Sequence, residues 1–279
     1  MKNRILVIGN KKGFIASNLV PYLKKKKTEV FLIDFNKFKL INHKYLSKFS
    51  IIINTSTNRE FIEKSYHEKN DRNLAVVKKI LKIDHIKFVM MSTRKIYKIG
   101  VNIKENSKLQ PKCMYSKNNL ISELKVRKIL SQRRLLILRI SNLIGYNSYS
   151  PKKVHYTFSS VFFKFIRKNQ ILEPKLYYKD FIGVNKFCEI VLKLLKKSAY
   201  GVFNVSIGKK IYLKNIINWL NFYNPNKFKI KLIKNQNAEC FTLSNDKLLN
   251  FIPIKISEND LRNECLSLSK KFFSKRKTI

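Results

Sequence analysis

Gly9-Asn10-Lys11-Lys12-Gly13-Phe14-Ile15-Ala16-Ser17 follows directly on the apolar run Arg4 to Ile8 and opens an amphipathic segment. Glycine at 9 and 13 lets a backbone turn sharply and approach a diphosphate, whose charge then rests on the free amides of a helix N-terminus. Lys11 and Lys12 could neutralise part of that charge, and Phe14 and Ile15 begin the helix that would face it. Asp34 closes the second apolar run, 21 residues after Gly13. A carboxylate there can accept hydrogen bonds from the adenosine ribose hydroxyls and repels a 2′-phosphate. The set predicts a dinucleotide site that favours NAD as cofactor, while Lys37 and Lys39 leave NADP open. Two glycines alone would serve any tight strand-to-helix turn. The reading rests on strand, loop, helix, second strand and terminal Asp occurring in that order. The spacing Gly9-x3-Gly13 is one residue longer than the usual G-x-x-G, and Ala16 takes the place of a third glycine, where helix packs on strand.

The elements that must position this loop are legible from periodicity. Apolar, β-branched runs of strand length alternate with segments of helical period, the pattern of βαβ units. Strands are expected at Arg4 to Ile8, Glu29 to Ile33, Ser50 to Asn54, His85 to Met91, Leu135 to Ile140 and Val202 to Val205. Helices are expected at Phe14 to Lys25, Arg72 to Ile83, Lys117 to Leu130 and near Lys186 to Leu195. Runs such as Ile51-Ile52-Ile53 suit strands buried on both faces. The expected fold class is α/β, a doubly wound parallel (Rossmann) sheet with a smaller, mixed α/β C-terminal substrate region. Residues 1–145 would form the dinucleotide-binding domain, with 177–206 returning to it, and residues 146–176 and 207–279 the smaller region. Lys270 to Ile279 reads as a frayed tail.

Further motifs run in order through the chain: Phe88 to Tyr97, Tyr115 to Glu123, Arg139 to Gly145, Lys179 to Asn185 and Gly201 to Gly208. With Gly9 to Leu19 and Asp34 they resemble the extended short-chain dehydrogenase/reductases, the NAD-dependent epimerase/dehydratase group, as far as about Ile216. The resemblance implies a nucleotide-sugar substrate and hydride transfer through NAD(P), whether to epimerise, dehydrate or reduce, in surface polysaccharide assembly. It makes Tyr115 the base that removes a proton from a sugar hydroxyl. Thr93, with Ser92 beside it, becomes the hydroxyl that bonds the reacting oxygen. Asn73 would line the cofactor cleft, and Thr55 and Ser56 would border the cofactor through backbone groups. Asn142 would present an amide to the substrate, Lys179 would meet its diphosphate, and Arg139 would be structural.

The family also supplies a Lys one helical turn after the Tyr, and this chain has Asn119 there. A free phenol titrates near pH 10 and is a poor base at neutral pH without cationic neighbours. Asn119 shares the Tyr115 face at i+4 and can bond the nicotinamide ribose, but it brings no charge. Lys117 points roughly 200° away around the helix and cannot easily replace it. Asn185 likewise stands where the family has Asp. A second reading therefore stays open, a nucleotide-binding protein on the same fold without catalysis.

The 279 residues carry 59 Lys and Arg against 17 Asp and Glu, a net charge of +42, so polyanion binding has to be weighed. Lys is spread along the whole chain, and scarce Ala alongside abundant Lys, Asn, Ile, Phe and Tyr points to A/T-rich codons as a source. A dedicated nucleic-acid partner is the third and weakest reading. Cys113, Cys188, Cys240 and Cys265 lie far apart without a neighbouring His, which predicts neither a metal site nor a disulfide framework. Lys or Arg interrupts every candidate membrane span, and no signal peptide is legible, so a cytoplasmic protein is expected. A homodimer joined by the helices at Arg72 to Ile83 and Lys117 to Leu130 is possible, opposed by self-repulsion at low salt.

Overall fold

Ile5, Leu6, Val7 and Ile8 are buried on both sides in the computed structural model, which describes residues 4–145, 177–224 and 239–274. The aromatic-rich segment 146–176 lies outside the described residues, as do residues 225–238. Strand β1 (Arg4–Ile8) is followed by helix α1 (Phe14–Lys25), which buries Ala16, Leu19, Val20 and Leu23 against the sheet and exposes its lysines. Then come β2 (Glu29–Ile33), the short helices α2 (Phe35–Leu40) and α3 (His43–Leu46), β3 (Ile51–Asn54) and α4 (Arg59–Glu63). Helix α5 (Arg72–Ile80), β4 (Lys87–Thr93), α6 (Met114–Ile129) and β5 (Leu135–Ile140) complete the first half. The second half contributes β6 (Asn142–Ile144), β7 (Tyr178–Lys179), β8 (Phe181–Gly183), α7 (Val184–Lys196), β9 (Gly201–Val205) and β10 (Ile211–Tyr212). Helices α8 (Leu213–Asn221), α9 (Asp246–Phe251) and α10 (Glu258–Ser274) follow.

Six strands form one sheet in the order β2-β1-β3-β4-β5-β9, every neighbour parallel. Helices cover both faces, and each face has its own apolar cluster. One packs α1 and α7 against Val7, Ile53, Val89 and Leu138; the other packs α5 and α6 against Leu6, Ile52, Phe88 and Ile137. The chain leaves β1 toward β2 on one side and returns to β3 on the other. That reversal opens a crevice beyond the carboxyl ends of β1 and β3, where parallel α/β sheets bind ligands. A third cluster joins Ile144 and Phe181 to α8 and α10. Two small sheets, β6 with β8 and β7 with β10, lie beside the main one. Among the described residues no helix is long and apolar enough to cross a membrane.

Several boundaries differ from the sequence reading, and the starts of β4 and α6 have a local reason. Strand β4 begins at Lys87 because the Ile86 amide is tied to Ile83 O in a turn, and it runs on to Thr93. Helix α5 stops at Ile80. Helix α6 starts at Met114, since Ser116 Oγ accepts from the Cys113 amide and caps the first turn. Tyr115 therefore sits inside the first turn of α6. At the other end of the chain, residues 270–274 continue α10 and Phe273 is buried, so the ordered chain reaches further than a tail frayed from Lys270.

Candidate active site

The loop after β1 is closed by contacts that only glycine permits. Gly9 N donates to Ile33 O at 2.8 Å, while Thr55 donates to Ile8 O from both its amide (2.8 Å) and its hydroxyl (2.9 Å). A Cβ at Gly9 would stand 2.1 Å from Thr55 Oγ1 and 3.2 Å from Ala16 Cβ. The glycine thus lets the end of β3 and the start of α1 converge. Asn10 makes the extra residue of the loop workable. Its carbonyl accepts from Gly13 N and its side chain from Lys12 N, both at 2.8 Å.

Gly13 caps α1 without a side-chain hydrogen bond, and no acidic residue occupies the first turn. The positive end of the helix therefore points into the crevice without a competing carboxylate. At the end of β2, Asp34 Oδ1 accepts from the Lys37 amide at 3.0 Å, and Oδ2 has no partner among the described residues. An open helix terminus, a loop bounded by two glycines and one available carboxylate oxygen suit the diphosphate and ribose of a dinucleotide.

Beyond β3 and β4 the chain encloses a cavity. Ile15, Thr55, Ser56, Asn73, Thr93, Tyr115 and Asn119 line it, along with Ser92, Met91 and Ser141. The crevice position of each follows from its element. Thr55 and Ser56 follow β3, Thr93 ends β4, and Tyr115 and Asn119 are successive turns of α6. Asn73 is tied to β3 by Asn54 Nδ2, which donates to its Oδ1 at 2.7 Å, and Asn54 Oδ1 also accepts from Ser56 N at 3.0 Å. Gly9, Gly13 and Phe14 belong to the adjoining loop, while Lys11 and Lys12 are exposed. Asn142 and Lys179 lie off this wall: Asn142 Nδ2 donates to Asp180 O at 3.0 Å, and Lys179 Nζ stands over the Tyr177 ring at 4.6 Å.

Electrostatics at the phenol run against base character. Burial pushes the Tyr115 hydroxyl above its usual range, the Cys113 thiol adds to this, and hydrogen bonding with Thr93 and Asn119 only partly opposes it. Among the described residues, none of the groups that set its titration is a cation. Asn119 Nδ2 is held by Tyr115 O at 2.7 Å, and Lys117 is exposed. Beneath the cavity lies a polar network that sequence reasoning did not assemble. Arg139 on β5 bonds Glu123 on α6 with Nη2 (2.7 Å) and Nε (3.2 Å), and its Nη1 donates to Tyr97 Oη (2.9 Å) and Glu105 O (2.9 Å). Ser92 Oγ donates to the same Glu123 carboxylate, and Tyr97 donates to Asn204 Oδ1. This network locks the helix carrying Tyr115 to the strand carrying Thr93. Its only signal in sequence was a charged residue inside each of two apolar motifs, Glu123 and Arg139.

A parallel sheet reversed at β1/β3, with a glycine loop and a terminal Asp at the switch, defines a dinucleotide-binding α/β protein. The chain belongs to the NAD dependent epimerase/dehydratase family, whose model matches residues 5–206. Among solved structures it is similar to a UDP-N-acetylglucosamine 4-epimerase from Methanobrevibacter ruminantium M1, at 18% identity and TM-score 0.79, covering 99% of this chain and 100% of that one. It is also similar to a dTDP-glucose 4,6-dehydratase from Bacillus anthracis in complex with NAD (16% identity, TM-score 0.75, 99% and 98% covered). The third likeness is to the Bordetella bronchiseptica enzyme WbmH in complex with NAD+ (13% identity, TM-score 0.80, 98% and 99% covered). At such identities the likeness is one of fold. No curated protein is a significant sequence match.

Proposed function

We propose that the protein is an NAD-dependent enzyme that modifies the sugar of a nucleotide sugar, with Tyr115 as the base and Thr93 as its hydroxyl partner. The observation that carries this reading is the convergence of Tyr115, Thr93 and Asn119 on one cavity that Ile15 and Thr55 also line. Gly9, Gly13, Phe14 and Ile15, with Lys11 and Lys12 above them, would hold the diphosphate of NAD, and Asp34 a ribose. Thr55, Ser56, Asn73 and Asn119 would border its nicotinamide half. Bound NAD supplies the hydride acceptor at the sugar's carbinol carbon. Thr93 holds the reacting oxygen and Tyr115 takes its proton. Asn142 and Lys179 belong to the substrate side of this reading. The place proposed for the reaction is among the cytoplasmic steps of surface polysaccharide assembly, and a second copy would pair through α5 and α6, where Leu124 and Ile129 are exposed.

Because the phenol is raised and no described residue places a cation beside it, little phenolate exists at neutral pH, and the base-assisted step accelerates as pH rises. The same observation favours a second reading, an NAD-binding protein that performs no turnover. Purified protein separates the two: spectroscopic detection of bound NAD(H), then assays on a panel of nucleotide sugars across pH. Turnover that increases with pH supports the enzyme. NAD binding without turnover at any pH, with turnover appearing in Asn119→Lys, supports the second reading.

A further inference from the structure

Arg72 is the first residue of α5 and has no part in the pair formed by Tyr115 and Thr93. Its backbone stands by the end of β3, because the next residue, Asn73, lines the cavity and is tied to Asn54 by a 2.7 Å hydrogen bond. Its guanidinium stands by the end of β2: Cζ lies 4.8 Å from the centroid of the Phe35 ring, and Phe35 directly follows Asp34. In the sheet β1 lies between β2 and β3, so the side chain bridges the carboxyl end of β1, where the Gly9 loop begins and the crevice opens. Both anchors are firm. Asp71 caps α5 by accepting from Leu74 N at 3.0 Å, Phe35 stacks on the buried Phe38 ring at 6.3 Å, and Lys79 Nζ donates to Lys39 O, which fastens α2 to α5.

Among the described residues no carboxylate or carbonyl bonds this guanidinium. The neighbouring Asp71 is occupied by Leu74 N, Ser122 Oγ and Tyr66 Oη, each at 3.0 Å, and Asp34 Oδ1 by the Lys37 amide. Arg72 is half-buried and none of its nitrogens is sealed from solvent, so its N–H fork is reachable. Burial holds the cation below its ordinary range, a cost that an anion beside it would offset. Lys39 Nζ stands 5.8 Å from the centroid of the same ring, so two cations flank Phe35 against the carboxylate of Asp34. That carboxylate suits the free ribose hydroxyls of NAD and opposes a phosphate on the 2′ oxygen, whereas a guanidinium fork matches phosphate oxygens. We propose that Arg72, seated on Phe35, receives the 2′-phosphate of NADP, so that the crevice accepts NADP as well as NAD although β2 ends in Asp34. This rests on the reading of the crevice as the dinucleotide site.

Calorimetric titration of the cofactor-free protein with NAD and with NADP tests the proposal, using wild type, Arg72→Ala, Arg72→Lys and Arg72→Gln. Wild type should bind both dinucleotides. Arg72→Ala should weaken NADP roughly tenfold to a hundredfold and leave NAD within about twofold of wild type. Arg72→Lys keeps the charge but loses the fork, and its NADP affinity should fall between the two. Equal losses for NAD and NADP in Arg72→Ala, or no loss for either, overturn the proposal. If Arg72→Ala does not fold, Arg72→Gln keeps the stem over Phe35 without the charge, and an unchanged ratio of NADP to NAD affinity there overturns it. A wild type that binds NAD but not NADP overturns it as well. Failure of the wild type to bind either dinucleotide overturns the reading of the crevice instead.

Discussion

Tyr115 shares its wall with Thr93 and Asn119, and the chemistry turns on what surrounds one phenol oxygen. Burial disfavours the phenolate and Asn119 offers only an amide. Turnover should therefore rise about tenfold per pH unit through neutrality and level off only above the ordinary phenol range. Asn119→Lys places a cation one turn along the same helix face, so the rise should shift to lower pH by at least one unit in a pH–rate profile. An unchanged profile would mean that the phenol does not limit the rate. The missing Lys was legible in the sequence, because helical spacing alone puts residue 119 beside Tyr115. Arg72 was not: nothing in Asn70-Asp71-Arg72-Asn73 distinguishes a half-buried guanidinium stacked on Phe35 from one more basic surface residue in a chain with 59 of them.

At the scale of elements, the loop between β1 and α1 and the strand end at Thr55 are fitted to each other. Gly9→Ala should destabilise the protein by about 1–3 kcal/mol through overpacking against Thr55, and removing the offending hydroxyl in Gly9→Ala/Thr55→Ala should recover part of that loss. Denaturant unfolding of the two single variants and the double variant measures the coupling, and strict additivity would refute the fit. A second device ties β8 to the later chain. Asp180 is fully buried and accepts amide hydrogen bonds from Ile207, Gly208 and Leu243. Burial outweighs these bonds and pushes its carboxyl up to about 7. The unfolded residue releases its proton near 3.9, so between about pH 4 and 7 the folded state holds a proton that the unfolded state has lost. Its stabilising contribution, of order 4 kcal/mol, should be complete below pH 4 and decline as pH rises to 7. Asp180→Asn should flatten that slope in thermal melts, and a retained slope would assign it to another group. Strand and helix order were legible because period 2 and period 3.6 survive in the apolar pattern. The anchor was not, since a lone Asp after Lys179 carries no mark of the three amides that converge on it from distant sequence.

For the whole molecule, a net charge of +42 sits on a family fold whose ion pairs, among the described residues, are mostly exposed; the pair buried on both sides there is Arg139 with Glu123. Exposed pairs contribute little, so self-repulsion dominates the surface. Raising ionic strength from about 10 mM to about 150 mM shortens the Debye length from roughly 30 to 8 Å and should raise the melting temperature. A melting temperature insensitive to salt would mean that the charges are better compensated than these pairs suggest. The parallel sheet and its switch point were legible from composition and order. The pairing of the later segments was not, because their contacts join stretches far apart in the chain.

Whether Tyr115 drives NAD-dependent chemistry on a nucleotide sugar is decided by comparing two proteins. Reduced nicotinamide formation and sugar turnover would be followed in NAD-loaded wild type and Tyr115→Phe at a pH where the wild type is active. Tyr115→Phe should lose roughly a hundredfold to ten-thousandfold in rate with NAD binding intact. Equal rates in the two proteins, or no turnover by wild type at any pH, would contradict it.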